Sequence, residues 1–167
     1  MSGRDRHRQR IYDAEATLTR MIDRRHDFPV AHAFGSRVVV PEDRKFGDLD
    51  SVQRYVDAVL ALEWVRRAAP DRAALPVTVR ARAGATMAEY EFATHTIAVP
   101  PHRVGGRWAM RELVVLHELA HHLVGDRDVP HGPAFLARLL ELVEELVGFE
   151  AGFLLRSTFL DSGVPVG

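Results

Sequence analysis

A pattern of two histidines and a glutamate near the middle of the chain has the spacing of a metal site. His117, Glu118 and His121 form the pattern H-E-x-x-H. On a helix, residues four apart lie one turn apart on the same face, so both imidazoles can point at one ion. Glu118 follows the first histidine and can reach a water on that ion rather than the ion itself. The pattern therefore predicts zinc chemistry, with two nitrogen ligands and a carboxylate base.

The residues around this pattern predict a buried helix. The sequence has no Gly or Pro from Trp108 to Val124, and Gly125 favours a helix end. Apolar residues surround the helix instead of forming one stripe, which is typical of a central helix. His122 points away from the histidine pair and is interpreted as a supporting or surface histidine. The alternative interpretation is a hydrogen-bonded polar cluster in a core, without metal.

A catalytic zinc ion usually has three protein ligands, so a third is needed. The metzincin pattern would place a glycine at position 124 and a histidine at position 127, where this chain has Val124 and Arg127. That pattern is excluded. We predict His131, because its loop is framed by Pro130 and Gly132 and can fold back toward the end of the metal helix. The alternative third ligands are acidic: Asp126, Asp128, Glu141, Glu144 and Glu145.

The composition limits the possible functions. A chain of 167 residues predicts one domain with a real hydrophobic core. The formal net charge of −1 provides no overall positive field to attract nucleic acid. The absence of cysteine excludes disulfides, thiol nucleophiles, cysteine zinc fingers and iron–sulfur clusters. Any transition metal must therefore be held by histidines and carboxylates.

The sequence predicts a cytoplasmic protein. The first residues are rich in arginine and lack the apolar segment of a secretory signal. No apolar run approaches the roughly 18 residues that span a bilayer. We therefore expect no membrane partner, and the oligomeric state stays open.

Periodicity and turn residues predict the other elements. Predicted helices cover 4–26, 51–69 and 133–147, and predicted strands cover 35–41, 76–82, 88–92 and 95–99. Asp50 or Ser51 can cap the second helix, and Pro70 ends it. A tail at 150–159 is helical or extended. The side chains of Tyr55 and Trp64 are interpreted as core packing.

Two motifs in the sequence resemble those of known families. His117 to His122 read H-E-L-A-H-H, and His131 to Phe135 read H-G-P-A-F. These motifs resemble a family of small actinobacterial metallohydrolases, and more distantly the SprT-like zinc metalloproteases. The resemblance covers about 108–135 and implies one zinc ion held by His117, His121 and His131, with Glu118 as the catalytic base. SprT-like proteases that act at DNA often add a cysteine zinc module, which this chain lacks.

The expected fold is α+β. We predict a zincin-like domain with a small, mostly antiparallel sheet packed on the central H-E-x-x-H helix and with flanking helices. One domain covers 1–167, with the N-terminal helix within 1–30. The metal helix, its loop and the following helix lie within 108–147.

The predicted function is that of a zinc metallopeptidase. Its substrate is a peptide or protein that adds a strand to the sheet edge, for which 95–99 is the expected edge strand. A donor must also stabilise the developing oxyanion. The candidates for this role are Tyr90, His95, His102 and Arg103.

Two rival functions remain open. One is a three-histidine zinc endoribonuclease, whose glycine and aspartate before the third histidine are faintly matched by Gly125 and Asp126. Its histidine spacing is shorter than that from His121 to His131, and Glu118 would have no equivalent. The other is a zinc-binding regulatory or interaction domain without turnover.

Overall fold

The structure is a computed structural model that describes residues 5–101 and 108–166. Within these ranges it is α+β, with seven helices and small sheets. The helices are α1 (Arg8–Asp23), α2 (Leu49–Ala61), α3 (Glu63–Ala68), α4 (Pro70–Ala73), α5 (Glu112–Val124), α6 (Pro133–Leu146) and α7 (Phe149–Asp161). The strands are β1 (Val30–Ala33), β2 (Ser36–Val39), β3 (Thr78–Ala81), β4 (Glu89–Glu91) and β5 (Thr96–Val99). The predicted α+β class is confirmed.

The chain divides into two compact units. The first, here the hairpin unit, consists of the described residues of Met1–Asp43 and Asp128–Gly167. The second, here the sheet unit, consists of the described residues of Arg44–Arg127. The prediction of a single domain stays a prediction.

The sheet unit contains a three-stranded sheet in the order β3-β5-β4. Strand β5 is parallel to β3 and antiparallel to β4, so this sheet is mixed. The prediction that 95–99 forms the sheet edge is wrong, because β5 is hydrogen-bonded on both sides. All four residues of β5 are buried, as expected of an interior strand.

Helix α5 is the buried helix of this unit and contacts α2, α4, β4 and β5. Eleven of its thirteen residues are buried, which fits the predicted central helix. Two backbone hydrogen bonds join the start of α5 to the segment before α2. Phe46 N donates to Met110 O (2.8 Å), and Glu112 N donates to Arg44 O (2.8 Å). It ends at Gly125, whose φ of +82° favours glycine.

The helix predicted at 51–69 is divided in the structure. Asp48, not Asp50 or Ser51, caps α2, and its carboxylate accepts a bond from Ser51 N (2.7 Å). Leu62 is extended and separates α2 from α3. As predicted, the helical segment ends just before Pro70, since α3 ends at Ala68 and Ala69 is not helical. Pro70 then begins the separate short helix α4, where a proline loses no backbone bond.

The hairpin unit is built on three helices. Helix α1 packs against α7, and α7 packs against α6. The predicted first helix and the helix at 133–147 are confirmed as α1 and α6, with Pro133 in the first turn of α6. The tail predicted as helical or extended is the helix α7.

Strands β1 and β2 form an antiparallel hairpin, and β1 contacts α7. Strand β2 was predicted within 35–41, whereas β1 was not predicted. Phe34 and Gly35 both have positive φ (+49° and +74°) at the hairpin turn, as the two central residues of a type I′ turn require. Among the described residues, no helix has the length and apolar character needed to cross a bilayer.

Candidate metal centre

Helix α5 carries the histidine pair on one face. The ring centroids of His117 and His121 lie 5.1 Å apart, with the ring planes at 67°. The exposed fractions of His117, Glu118 and His121 are only 3%, 4% and 8%. Polar side chains with so little exposure require bonding partners or a metal, because unpaired burial is costly.

His131 completes a three-histidine group. His117, His121 and His131 each offer one ring nitrogen, and these three atoms lie within 4.8 Å of one another. All three residues are buried. This buried group could bind a metal ion, because neutral imidazoles are common ligands of transition metals.

The loop that carries His131 is tightly constrained. His131 has a φ of +58°, a conformation uncommon for a residue other than glycine. Gly132 follows it and donates a backbone bond to Val129 O at 2.9 Å. A Cβ on Gly132 would lie 2.9 Å from that same carbonyl oxygen, so glycine is required for the close approach. Backbone strain of this kind is concentrated at functional sites.

The ring of His131 is surrounded within the hairpin unit. Its Nδ1 lies 2.5 Å from Oδ2 of Asp5. Tyr12 and Phe135 make edge contacts with the imidazole, at centroid distances of 5.4 Å and 4.9 Å. Neither Asp5 nor Tyr12 could be linked to His131 from spacing, because both lie more than a hundred residues away from it.

The acidic alternatives for a third ligand are exposed. Asp126 and Asp128 lie in the loop after α5, and the glutamates lie on the exposed face of α6. In the part of the chain that the structure describes, the three-histidine group includes none of the five: Asp126, Asp128, Glu141, Glu144 and Glu145. The geometry therefore favours His131 over these carboxylates.

His122 is not a surface residue, since it is completely buried. Its Nδ1 lies 2.8 Å from the hydroxyl of Tyr90, and its Nε2 lies 2.8 Å from Arg72 O. A carbonyl only accepts, so Nε2 donates and Nδ1 accepts the Tyr90 proton. Burial lowers the pKa of His122 to about 4, which keeps the ring neutral. His122 thus connects α5 to α4 and β4, and it is not part of the three-histidine group.

A buried glutamate anchors the first turn of α5. Glu112 is 2% exposed, and its Oε2 accepts bonds from Tyr55 Oη (2.5 Å) and Arg44 Nη1 (2.6 Å). Its Oε1 accepts a third bond, from Arg44 N (3.3 Å). Burial, followed by the bond to Glu112, raises the pKa of Tyr55. Tyr55 was predicted only to pack in the core, and this network was not predicted.

Phe92 lies beside the candidate metal centre and was not predicted from the sequence. It follows β4, and its ring centroid lies 5.8 Å from that of His121. Phe92 also contacts Tyr90 edge-on, at 4.9 Å. An apolar ring therefore borders one of the two histidines of α5.

The structure narrows the oxyanion candidates. The hydroxyl of Tyr90 is bonded to His122 and accepts from Arg72 Nη2 (3.2 Å). His95 lies beside His122, with ring centroids 5.7 Å apart. His102 and Arg103 lie outside the described residues. Tyr90 and His95 both contact His122, which is not part of the three-histidine group. These contacts therefore place neither residue beside His117 and His121.

The fold and site together define an α+β protein with a buried three-histidine group that could hold a metal ion. Comparison of the chain with models of protein families, with curated proteins and with solved structures found no match. The resemblance to small metallohydrolases and to SprT-like proteases therefore stays a prediction.

Proposed function

We propose that this protein is a zinc-dependent metallohydrolase, most specifically a metallopeptidase. The observation that carries the proposal is the buried group of His117, His121 and His131, with Glu118 next to its first member. A polar core cluster without metal would not by itself account for the strained backbone of His131 or for the glycine that its turn requires.

The donor set suits zinc. Three imidazoles are a known ligand set of catalytic zinc, which leaves one coordination position for water or substrate. When bound, zinc supplies a water of lowered pKa and polarises a substrate carbonyl. The burial of the three histidines limits access of bulk water, and this strengthens electrostatic interactions at the site.

Glu118 is the proposed catalytic base. Glu118 directly follows His117 on α5 and is buried, and in an H-E-x-x-H motif this position supplies the base rather than a metal ligand. Glu118 takes a proton from the attacking water and then delivers that proton to the nitrogen of the leaving amine. Contributions of this kind are typically about 10²–10⁴-fold in rate.

The proposed substrate is an extended peptide that pairs with β4. Strand β5 is interior, so the sheet edges are β3 and β4. Strand β4 leads directly to Phe92, whose ring borders His121. A peptide added along β4 would therefore be guided toward the histidines, with Phe92 beside one of its side chains.

The test compares wild type with Glu118→Gln on a library of quenched fluorescent peptides, with zinc content measured on the same samples. The variant should retain zinc and lose hydrolysis by at least about 100-fold, the lower range for a general base. Glu63→Gln, at an exposed glutamate of α3 in the same unit as Glu118, is the matched control and should behave as wild type. Full activity in Glu118→Gln would refute the assigned role.

The rival functions give different results in the same experiment. Wild type that binds zinc stoichiometrically but cleaves no peptide would favour a zinc-binding interaction domain. Cleavage of RNA but not of peptides would favour an endoribonuclease. The cytoplasmic location stays a prediction.

A further inference from the structure

The segment before α1 contacts the third histidine of the candidate metal centre. We infer that Asp5 is a positioning residue that fixes the tautomer and orientation of His131 for metal binding. This inference rests on the proposed zinc site, and it adds a role that the H-E-x-x-H motif does not contain.

The contact determines which nitrogen of His131 is available to a metal. Asp5 Oδ2 lies 2.5 Å from Nδ1 of His131. An ionised carboxylate only accepts hydrogen bonds, so Nδ1 must carry the proton and donate. In the neutral ring Nε2 then keeps its lone pair, and it is the nitrogen that can bind an ion. A carboxylate on the far side of a ligating histidine also increases the basicity of the ligating nitrogen.

Packing holds the ring in the orientation that this bond selects. Tyr12 contacts it at 65° and Phe135 at 76° between ring planes, both edge-on. The backbone of His131 is constrained by the turn that Gly132 closes onto Val129. Rotation of the imidazole would break the bond to Asp5 and these ring contacts together.

The start of α1 in turn positions Asp5. Arg8 N donates to Asp5 O at 3.4 Å, and α1 begins at Arg8. Helix α1 buries Ile11 and Leu18 completely, so its place in the hairpin unit is fixed by its core. The Asp5 side chain is 23% exposed, whereas that of His131 is 5% exposed, so most of this contact is shielded from water. Shielding makes the bond stronger than a surface ion pair.

The alternative is a structural ion pair in which Asp5 holds a doubly protonated His131. The two possibilities differ in the ligand that results, because an imidazolium has no lone pair for a metal. They also differ in the effect of Asp5→Ala. If Asp5 positions a neutral His131, its removal weakens metal binding. If Asp5 instead stabilises a His131 that is also protonated on Nε2, its removal leaves metal binding unchanged or strengthens it.

The experiment measures the zinc dissociation constant of the full chain by competition with a chromophoric chelator. The set is wild type, Asp5→Ala, Asp5→Asn and Asp27→Ala, the last being a control at an exposed aspartate of the same unit. Asp5→Ala should bind zinc about 10–100-fold more weakly, the usual effect of losing such a carboxylate. Asp5→Asn keeps an acceptor oxygen without the charge and should lie between, and Asp27→Ala should match wild type.

Two spectra separate positioning from general stability. The visible spectrum of the cobalt-substituted protein should change in Asp5→Ala, because the ligand field depends on the orientation of His131. Long-range proton–nitrogen NMR of the zinc-free wild type should show His131 with a protonated Nδ1 and a bare Nε2. If circular dichroism shows that Asp5→Ala does not fold, the same three measurements on Asp5→Asn test the role of Asp5 instead.

The outcomes distinguish this inference from the proposed function. Zinc binding by wild type with equal affinity in Asp5→Ala and Asp5→Asn would overturn the role of Asp5 and leave the metal site intact. A neutral His131 that carries its proton on Nε2 in the zinc-free protein would also overturn it. No zinc binding by wild type would overturn the proposed function and this inference together.

Discussion

Removal of the Tyr55 hydroxyl should weaken the attachment of helix α5 by a measurable amount. Tyr55→Phe keeps the aromatic ring, whose centroid lies 5.1 Å from that of Phe46, and deletes only the donor to Glu112. Hydrogen bonds to charged groups contribute about 1.5–3 kcal/mol. The lower end applies here, since Arg44 continues to donate two bonds to the same carboxylate. We expect a loss of about 1.5 kcal/mol in the free energy of unfolding.

Urea denaturation followed by circular dichroism measures this loss as a lower midpoint at an unchanged slope. For a chain of this size the melting temperature should fall by about 3–6 °C. A double-mutant cycle supplies the control: in a Glu112→Gln background, Tyr55→Phe should cost less by about 1 kcal/mol. A change below about 0.3 kcal/mol in the wild-type background, or no coupling in the cycle, would refute the anchor.

Two further predictions follow from the same structure. Folding raises the pKa of Tyr55, so Tyr55 keeps its proton in the folded protein at a pH where the unfolded chain loses it, above about pH 10. The protonated Tyr55 therefore contributes its full stability below that pH, and this contribution is lost as the pH rises. Urea midpoints between pH 9 and 11 should therefore fall less steeply in Tyr55→Phe, and identical slopes would contradict this. Gly132→Ala places a Cβ 2.9 Å from Val129 O and should weaken zinc binding through the His131 loop. Gly47→Ala, where no atom lies within 4 Å of the added Cβ, is its control; equal zinc affinity in both variants would count against the loop's role.

The helix that carries the histidine pair was predictable because its signals are local. Spacing and an uninterrupted apolar frame predicted α5, and Gly125 marked its end. The loop signals around Pro130 and Gly132 predicted a position for His131 that the three-histidine group fits. Local pattern is sufficient where a single element determines the geometry.

The edge strand was predicted wrongly because strand order is not a local property. All residues of Thr96–Val99 are buried, as is typical of an interior strand. Its pairing with β3 and β4, however, depends on the fold of the whole unit. The break at Leu62 was also unpredictable, since it contains neither glycine nor proline. Such breaks depend on packing of the completed unit.

The supporting residues of the site could not be found from the sequence for the same reason. Asp5 and His131 are separated by 126 positions, and Tyr55 and Glu112 by 57. No spacing rule connects residues this far apart. The first pair meets because α1 and α6 both pack against α7, and the second pair meets because α2 packs against α5.

The most direct test of the account is the zinc content of purified, tag-free protein after zinc reconstitution and gel filtration, measured by plasma mass spectrometry. Wild type and His32→Ala, an exposed histidine in β1, should each hold close to one zinc ion per chain. His117→Ala should hold none, and His131→Ala should hold little or lose it readily to a chelator. Wild type that binds no zinc, or full zinc content in both His117→Ala and His131→Ala, would contradict the three-histidine metal centre.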